Sequence, residues 1–119
     1  MIILIARCEV DPAALSGLRP WLDRTNRLTW EESDCLSYSI AVESEAGGVI
    51  TIVERWRSEA ALLAYLATSA MRDFHDALQP AIVTLDAQIY DVNGERPLPL
   101  PSPAATPWLR LVPNGMSAA

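Results

Sequence analysis

The chain contains few basic residues, and this shortage excludes one class of protein at once. Nine Lys and Arg stand against fifteen Asp and Glu, which gives a formal net charge of −6 at pH 7. Binding to nucleic acid depends on clustered cations that neutralise phosphates, and nine scattered ones do not supply such a patch. No apolar run approaches the roughly 20 residues that a membrane helix needs. We therefore expect neither nucleic acid nor a membrane as a partner.

The sequence also lacks the motifs that usually hold metals, nucleotides and other cofactors. It has one histidine and two cysteines, but no Gly-rich phosphate loop, no Cys/His cluster and no Ser-His-acid series in a recognisable context. We expect no metal and no cofactor. Cys8 and Cys35 lie in apolar, strand-like segments, and residues 1–5 lack the basic leader of a signal peptide. Two free thiols in a cytoplasmic protein are predicted, with a disulfide as the alternative.

Six segments of the chain have the pattern of regular secondary structure. Alternation or β-branched composition predicts strands at residues 2–10, 35–43, 49–56 and 82–92. Apolar residues at helical spacing predict two helices, which begin after the Asp11-Pro12 cap and the Ser58 cap. The order is β-α-β-β-α-β. This order indicates the ferredoxin-like fold of the α+β class, with a four-stranded antiparallel sheet and both helices on one face.

Three short features are expected to shape these elements. Pro20 removes a backbone hydrogen bond inside the first helix, so we expect a kink or a break there. A Thr68-Ser69 step is expected to interrupt the second helix. Gly47-Gly48 accepts the positive φ that a hairpin turn requires, and it therefore connects the second and third strands as antiparallel neighbours.

The end of the chain differs in composition from the rest. Six of the nine prolines fall after residue 92, in a stretch without helical or strand period. We therefore divide the chain into a domain at residues 1–92 and a proline-rich tail at residues 93–119. Within the tail, Trp108 and Leu111 belong to a compact apolar group. They either anchor the tail on a partner subunit or lie in a disordered extension.

Both faces of the predicted sheet carry apolar side chains. In the third strand, Ile50, Ile52 and Trp56 point to one side, whereas Val49 and Val53 point to the other. The helices cover one face, and a small domain rarely leaves a second apolar face exposed to water. We therefore predict a two-fold homodimer in which the open faces meet.

Two segments of the sequence resemble a known family. CLSY at residues 35–38, followed by the hairpin and by VERWRSEAALLAYL at residues 53–66, resembles the antibiotic biosynthesis monooxygenase (ABM) domain of the dimeric α/β barrel superfamily. The resemblance covers roughly residues 1–92 and implies a dimeric α/β barrel. Relatives of this kind include cofactor-free oxygenases of aromatic polyketide anthrones, haem-degrading enzymes and proteins without established activity.

The match to each branch of the family is partial. Trp56 matches the strand-end tryptophan of the anthrone oxygenases, but Ile52 stands where they carry an asparagine. In an ungapped alignment with the haem-degrading branch, His75 falls at the haem-ligating histidine and Tyr65 at a tryptophan. The first strand offers Arg7 and no asparagine.

The resemblance implies a cofactor-independent monooxygenase that oxidises an aromatic polyketide-type anthrone or phenol of secondary metabolism to a quinone. In this hypothesis His75 accepts the substrate proton, Arg72 holds the enolate and Trp56 shapes the cavity. The substrate, a small aromatic molecule, would contact aromatic side chains at Tyr65, Tyr38, Phe74 and Trp30. The alternatives are a pocket protein that binds or cyclises a pathway intermediate without oxidising it, and a haem-degrading monooxygenase. For each residue, an ordinary core or surface role is the competing interpretation.

Overall fold

The protein is described here by a computed structural model that covers residues 1–100 and Trp108. The strands are β1 (Ile2–Val10), β2 (Cys35–Ser44), β3 (Val49–Trp56) and β4 (Ile82–Asp91), and the helices are α1 (Leu15–Trp30), α2 (Glu59–Leu66) and α3 (Ser69–Leu78). All strand pairs are antiparallel, in the order β2-β3-β1-β4. This confirms the predicted ferredoxin-like α+β fold.

The first helix is continuous through Pro20, so the predicted break does not occur. Asp11 caps a short 3-10 turn over Pro12–Ala14 by accepting a hydrogen bond from the Ala13 amide, at 3.0 Å, and α1 follows directly. Pro20 and Ser16 both lie on the exposed side of α1. The Ser16 carbonyl, which loses its partner at the proline, can therefore bond to water.

The predicted interruption of the second helix is confirmed. Helix α2 ends at Leu66, and the Thr68 hydroxyl then accepts a hydrogen bond from the Met71 amide at the start of α3. Ser58 caps α2 in the same way through the Ala61 amide, at 3.1 Å. Two short, separately capped helices therefore replace one long helix, and each can lie against the curved sheet at its own angle.

The hairpin between β2 and β3 depends on one glycine. Gly48 has a φ of 66°, and a Cβ placed on it would lie 2.1 Å from the Val10 carbonyl oxygen. The Gly48 carbonyl accepts a hydrogen bond from the Val10 amide at 2.8 Å. The turn therefore packs directly against the end of β1, which leaves no space for a side chain.

The core lies between the helices and one face of the sheet. Its most enclosed large side chains include Trp56, Ile50 and Leu62, each 1% exposed. Both cysteines are free, as predicted: Cys8 is buried in this core and Cys35 is half-buried at its margin. No helix within the described part of the chain is long and apolar enough to cross a bilayer.

The other face of the sheet is open and partly apolar. Ile5 and Val53 are paired across β1 and β3 on this face, and they are 42% and 40% exposed. Farther along the same face, Arg7 forms an ion pair with Glu43 at 2.9 Å. The open face therefore combines an apolar end with a charged end.

The tail is described only in part. Residues 92–100 contain neither helix nor strand, and Trp108 is exposed. The division into a domain and a tail remains a prediction. The predicted anchoring role of Leu111 lies outside the described residues.

Candidate functional site

A group of polar and aromatic side chains is enclosed between the helices and the sheet. We call it the buried polar cluster, and its members are Thr29, Tyr38, Glu54, Trp56 and Tyr65. None is more than 6% exposed. Strand β3 supplies two members, because its alternation directs Ile50, Ile52, Glu54 and Trp56 toward the helices. The others come from α1, β2 and α2, so four elements meet at this site.

The hydrogen bonds of the cluster assign its donors and acceptors. The Trp56 indole N–H donates to Glu54 Oε1 at 2.8 Å. The Thr29 hydroxyl donates to the Thr25 carbonyl at 2.7 Å, which uses its single proton. Its oxygen lies 2.5 Å from the Tyr65 hydroxyl oxygen, so Tyr65 is the donor in that bond. The Tyr65 ring also lies against Trp56, with 5.2 Å between centroids.

Glu54 is a carboxyl group held away from water and from cations. Burial raises its pKa above the ordinary value, and the hydrogen bond from Trp56 opposes this rise. Within the described residues, no cationic side chain lies within ion-pair distance of Glu54. The protonated form is therefore favoured relative to an exposed glutamate, and the group is suited to accept and hold a proton.

The two tyrosines of the cluster remain protonated over the physiological pH range. Burial raises the pKa of Tyr38, and the negative charge of Glu54 adds to this effect. Burial also raises the pKa of Tyr65, while the hydrogen bond with Thr29 opposes it. The Tyr38 hydroxyl can therefore donate a hydrogen bond to an anion formed beside it, whereas the single proton of Tyr65 is directed to Thr29.

Cys35 lies at the margin of the cluster and is an unreactive thiol. Burial raises its pKa to about 11, with a further contribution from Glu54. Its Sγ donates to the Ser37 carbonyl at 3.4 Å. Since the thiolate is the nucleophilic form, this cysteine is a poor candidate for covalent chemistry near neutral pH.

One oxygen of Glu54 receives no hydrogen bond from the described residues. Every fully enclosed side-chain nitrogen or oxygen atom of the described residues has a hydrogen-bond partner. Glu54 Oε1 is bonded to Trp56, whereas no described residue donates to Oε2. Oε2 is therefore the atom of the carboxyl group that the described residues leave free to accept a hydrogen bond or a proton.

The predicted site residues lie in four places. Tyr38, Trp56 and Tyr65 come together in the buried polar cluster. Phe74 is buried in the core on α3. Trp30 is 58% exposed at the end of α1, where its indole N–H donates to the Tyr38 carbonyl at 3.1 Å.

Arg72 and His75 lie elsewhere, on the exposed side of α3. The His75 ring contacts the Phe74 ring, with 5.9 Å between centroids, and it is not among the side chains enclosed with Trp56. The structure therefore does not bring the predicted proton acceptor into the interior. Its catalytic role stays a prediction.

Sequence reasoning missed Glu54 and Thr29. The signal for Glu54 was present, because a carboxylate occupies the buried-facing position between Ile52 and Trp56 in an otherwise apolar alternation. Thr29 continues the buried side of α1 after Leu22 and Thr25. A polar residue at a core position is informative, since its burial is costly without a partner.

Two open clefts lie apart from the cluster. One, of about 390 Å³, lies between the start of α1 and the end of α3 and includes Gly17, Trp21 and Pro80. The other, of about 340 Å³, is lined by residues such as Met1, Arg57 and Glu95. No cluster residue lines either cleft. Within the part of the chain that the structure describes, no three His, Cys, Asp or Glu side chains gather as metal ligands would.

The element order, the sheet order and the cluster between sheet and helices define a small ferredoxin-like α+β domain with an enclosed polar site. Residues 1–77 match the family model described as antibiotic biosynthesis monooxygenase. The chain belongs to this ABM family, as its resemblance predicted.

Solved structures share the fold. Rv0793 from Mycobacterium tuberculosis is 27% identical, with a TM-score of 0.70 over 79% of this chain and 96% of its own. A Deinococcus radiodurans protein that bears the family's name is 22% identical, with a TM-score of 0.73 over 82% of this chain and 98% of its own. A search of curated proteins finds no match.

Proposed function

We propose that this ABM-family chain is a cofactor-independent monooxygenase that oxidises an electron-rich phenol or anthrone of aromatic polyketide type to a quinone. Family membership supports the monooxygenase class. One observation carries the proposal: a buried carboxyl group, Glu54, lies opposite Tyr38 in the neighbouring strand, and the Tyr38 hydroxyl keeps its proton. A cofactor-free oxidation of this kind requires a base and donors for an anion, in a site sheltered from water.

The first step is removal of a substrate proton. In the ionised state, Glu54 Oε2 accepts a proton from the acidic C–H or O–H of the substrate, while the Trp56 N–H holds Oε1 in place. Burial raises the pKa of Glu54, which makes it a stronger base than an exposed carboxylate. We assign this role to Glu54 because His75 lies on the exposed side of α3.

The second step is reaction of the substrate anion with O₂. The anion passes one electron to O₂, and the two radicals recombine to a peroxide at the same carbon. For an anthrone, one oxygen atom becomes the new carbonyl, and the other leaves as water with the two hydrogens of the methylene. The hydroxyl group of Tyr38 stabilises the anion by a hydrogen bond, and the apolar surroundings exclude bulk water.

A second candidate function is supported by Ile52. It pairs with Ile40 and Ala6 in the sheet and stands where anthrone oxygenases carry an asparagine. The side chain supplies no hydrogen bond for a substrate oxygen. A pocket protein that binds or cyclises a pathway intermediate without oxidising it has no need of that amide.

The proposal includes a homodimer formed through the open face of the sheet. The exposed pair Ile5 and Val53, with Tyr90 at 51% exposure nearby in the sheet, supplies an apolar patch. Association of two copies would remove this patch from water and would leave the buried polar cluster on the other side of each sheet.

Oxygen uptake with a dihydroxyanthrone tests the proposed reaction, with protein that is shown to be free of metal and flavin. We expect Glu54→Gln to lower kcat on the order of 10²-fold or more, because the amide cannot accept the proton. The matched variant His75→Ala should keep the wild-type rate. Full turnover by Glu54→Gln, or loss of turnover in His75→Ala, would contradict the assignment. Binding of the anthrone without oxygen uptake would favour the second candidate.

A further inference from the structure

The two edges of the sheet differ in how their backbone groups are used. At the β2 edge, the Asn26 side chain donates to the Ile40 carbonyl and accepts from the Ile40 amide, both at 3.2 Å. The Trp30 indole N–H donates to the Tyr38 carbonyl. Side chains of α1 therefore cap the middle of this edge, where another strand would otherwise pair.

Among the described residues, no side chain caps the apolar part of the β4 edge in this way. The Val92 amide donates to the Met1 carbonyl, so alternate residues from Val92 backward direct their N–H and C=O groups toward β1. The backbone groups of Leu85, Ala87 and Ile89 consequently point outward. Their side chains lie on the helix-facing side, because they pair with Cys8, Ala6 and Leu4.

These three residues form a row that favours pairing with another strand. Leu85 is 58% exposed, Ile89 is 40% exposed and Ala87 is also exposed. The row contains no charged residue and no proline, which are the usual means of protecting an edge. An outward backbone ladder combined with an exposed apolar row is the surface to which an extended peptide adds as a further strand.

We propose that Trp108–Val112 of the tail adds to β4 as a fifth, antiparallel strand. The sequence WLRLV places Leu109 and Leu111 on one face of an extended chain and Arg110 on the other. When Leu111 is opposite Leu85, Leu109 is opposite Ala87, so the leucines cover these two members of the row. Pro107 then falls opposite Ile89, outside the pairing. In the same register Arg110 is opposite Asp86, so opposite charges meet across the pair.

The connection between the two strands is long enough. Strand β4 ends at Asp91, and residues 92–107 provide sixteen residues before the proposed strand. At about 3.3 Å per extended residue, this length permits a reversal of direction with a wide loop. Trp108 is 75% exposed, and pairing would cover part of its surface. Pairing of the tail with β4 of a second copy would make the same contacts. Only pairing between two copies would be lost on dilution, so dilution distinguishes the two arrangements.

Amide hydrogen exchange, measured residue by residue on the full chain, tests this pairing. Residues 84, 86, 88 and 90 direct their amides toward β1 and serve as internal references. In the wild type we expect the amides of Leu85 and Ala87, which lie opposite Leu111 and Leu109, to be protected as well. Leu111→Asp should raise exchange at these two positions by about tenfold or more without affecting the references. The matched variant Leu98→Asp, at another exposed tail position, should leave all of them unchanged.

The proposal is overturned if the amides of Leu85 and Ala87 exchange rapidly in the wild type. It is also overturned if these amides are protected in the wild type and stay protected in Leu111→Asp, because another segment or molecule then covers the β4 edge. Reversal of the charges at Arg110 and Asp86 gives a second test. Arg110→Glu should accelerate exchange at the outward amides, and the double variant with Asp86→Arg should restore part of the protection. Equal exchange in the single and double variants would contradict the register.

Discussion

Tyr65 donates its hydroxyl proton to Thr29, whose own proton is directed to the Thr25 carbonyl. Because of this direction, removing the Tyr65 hydroxyl and removing the Thr29 hydroxyl should lower the free energy of unfolding by different amounts. Tyr65→Phe leaves Thr29 with a partner and should lower the free energy of unfolding by about 0.5–1.5 kcal/mol. Thr29→Val leaves a buried tyrosine hydroxyl without an acceptor and should cost about 1–3 kcal/mol.

A double-mutant cycle measured by urea denaturation checks this relationship. In the double variant neither polar group remains, so its loss should be smaller than the sum of the single losses by on the order of 1 kcal/mol. Additive losses would show that the two hydroxyls are not coupled in solution.

Burial of Glu54 makes stability depend on pH. Its pKa is raised from 4.5, so the unfolded chain ionises at this residue before the folded chain does. Below pH 4.5 the carboxyl is protonated in both states and has no effect on the pH slope. As pH rises from there toward the folded pKa, the wild type loses stability that Glu54→Gln does not lose.

We therefore expect the free energy of unfolding of Glu54→Gln, relative to the wild type, to increase between pH 4 and pH 7. Denaturation at each pH gives this difference, and Glu31→Gln, at an exposed glutamate, is the control. A difference that is flat with pH would mean that Glu54 is ionised as easily in the folded chain as in the unfolded one.

Gly48 is required by the hairpin. Gly48→Ala should lower the free energy of unfolding by at least about 2 kcal/mol, because the residue has a positive φ and its Cβ would overlap the Val10 carbonyl. Gly47→Ala is the matched control, since the nearest atom to its Cβ is the Ser44 hydroxyl oxygen, at 3.1 Å, which a rotation can move. Similar losses in the two variants would contradict the explanation.

The proposed dimer predicts a difference between two exposed apolar residues. Val53→Asp places a charge in the apolar patch of the open face and should convert the dimer to a monomer at micromolar concentration. Leu63→Asp, at a residue 54% exposed on α2, should leave the dimer intact. Sedimentation velocity measures both, and a wild type that is monomeric at high concentration would remove the basis of the prediction.

Much of the fold was predictable because its signals are local. Alternation in β2 and β3, the caps Ser58 and Thr68, and the glycine turn each depend on neighbouring residues. The effect of Pro20 was not predictable in the same way. Whether a proline breaks a helix depends on the exposure of the carbonyl four residues earlier, and tertiary packing decides that exposure.

The site was predictable only in part. Trp56 and Tyr38 have strand periodicity that directs them inward, and both lie in the cluster. His75 was predicted as the proton acceptor because of its chemistry. It follows the buried Phe74 on α3, however, and its side chain therefore faces outward. The proximity of Thr29 to Tyr65 joins residues 36 positions apart, and no local pattern encodes such a contact.

The surroundings of Trp56 make it a natural optical reporter. Its indole is 1% exposed and touches a carboxyl group, whereas Trp30 and Trp108 are largely in contact with solvent. A collisional quencher such as iodide should extinguish emission from the two exposed indoles. In a Trp21→Phe variant, which removes the half-buried fourth indole, the quencher should spare only the interior one. The residual fluorescence then follows the protonation of Glu54 and the arrival of an aromatic guest, without any added label.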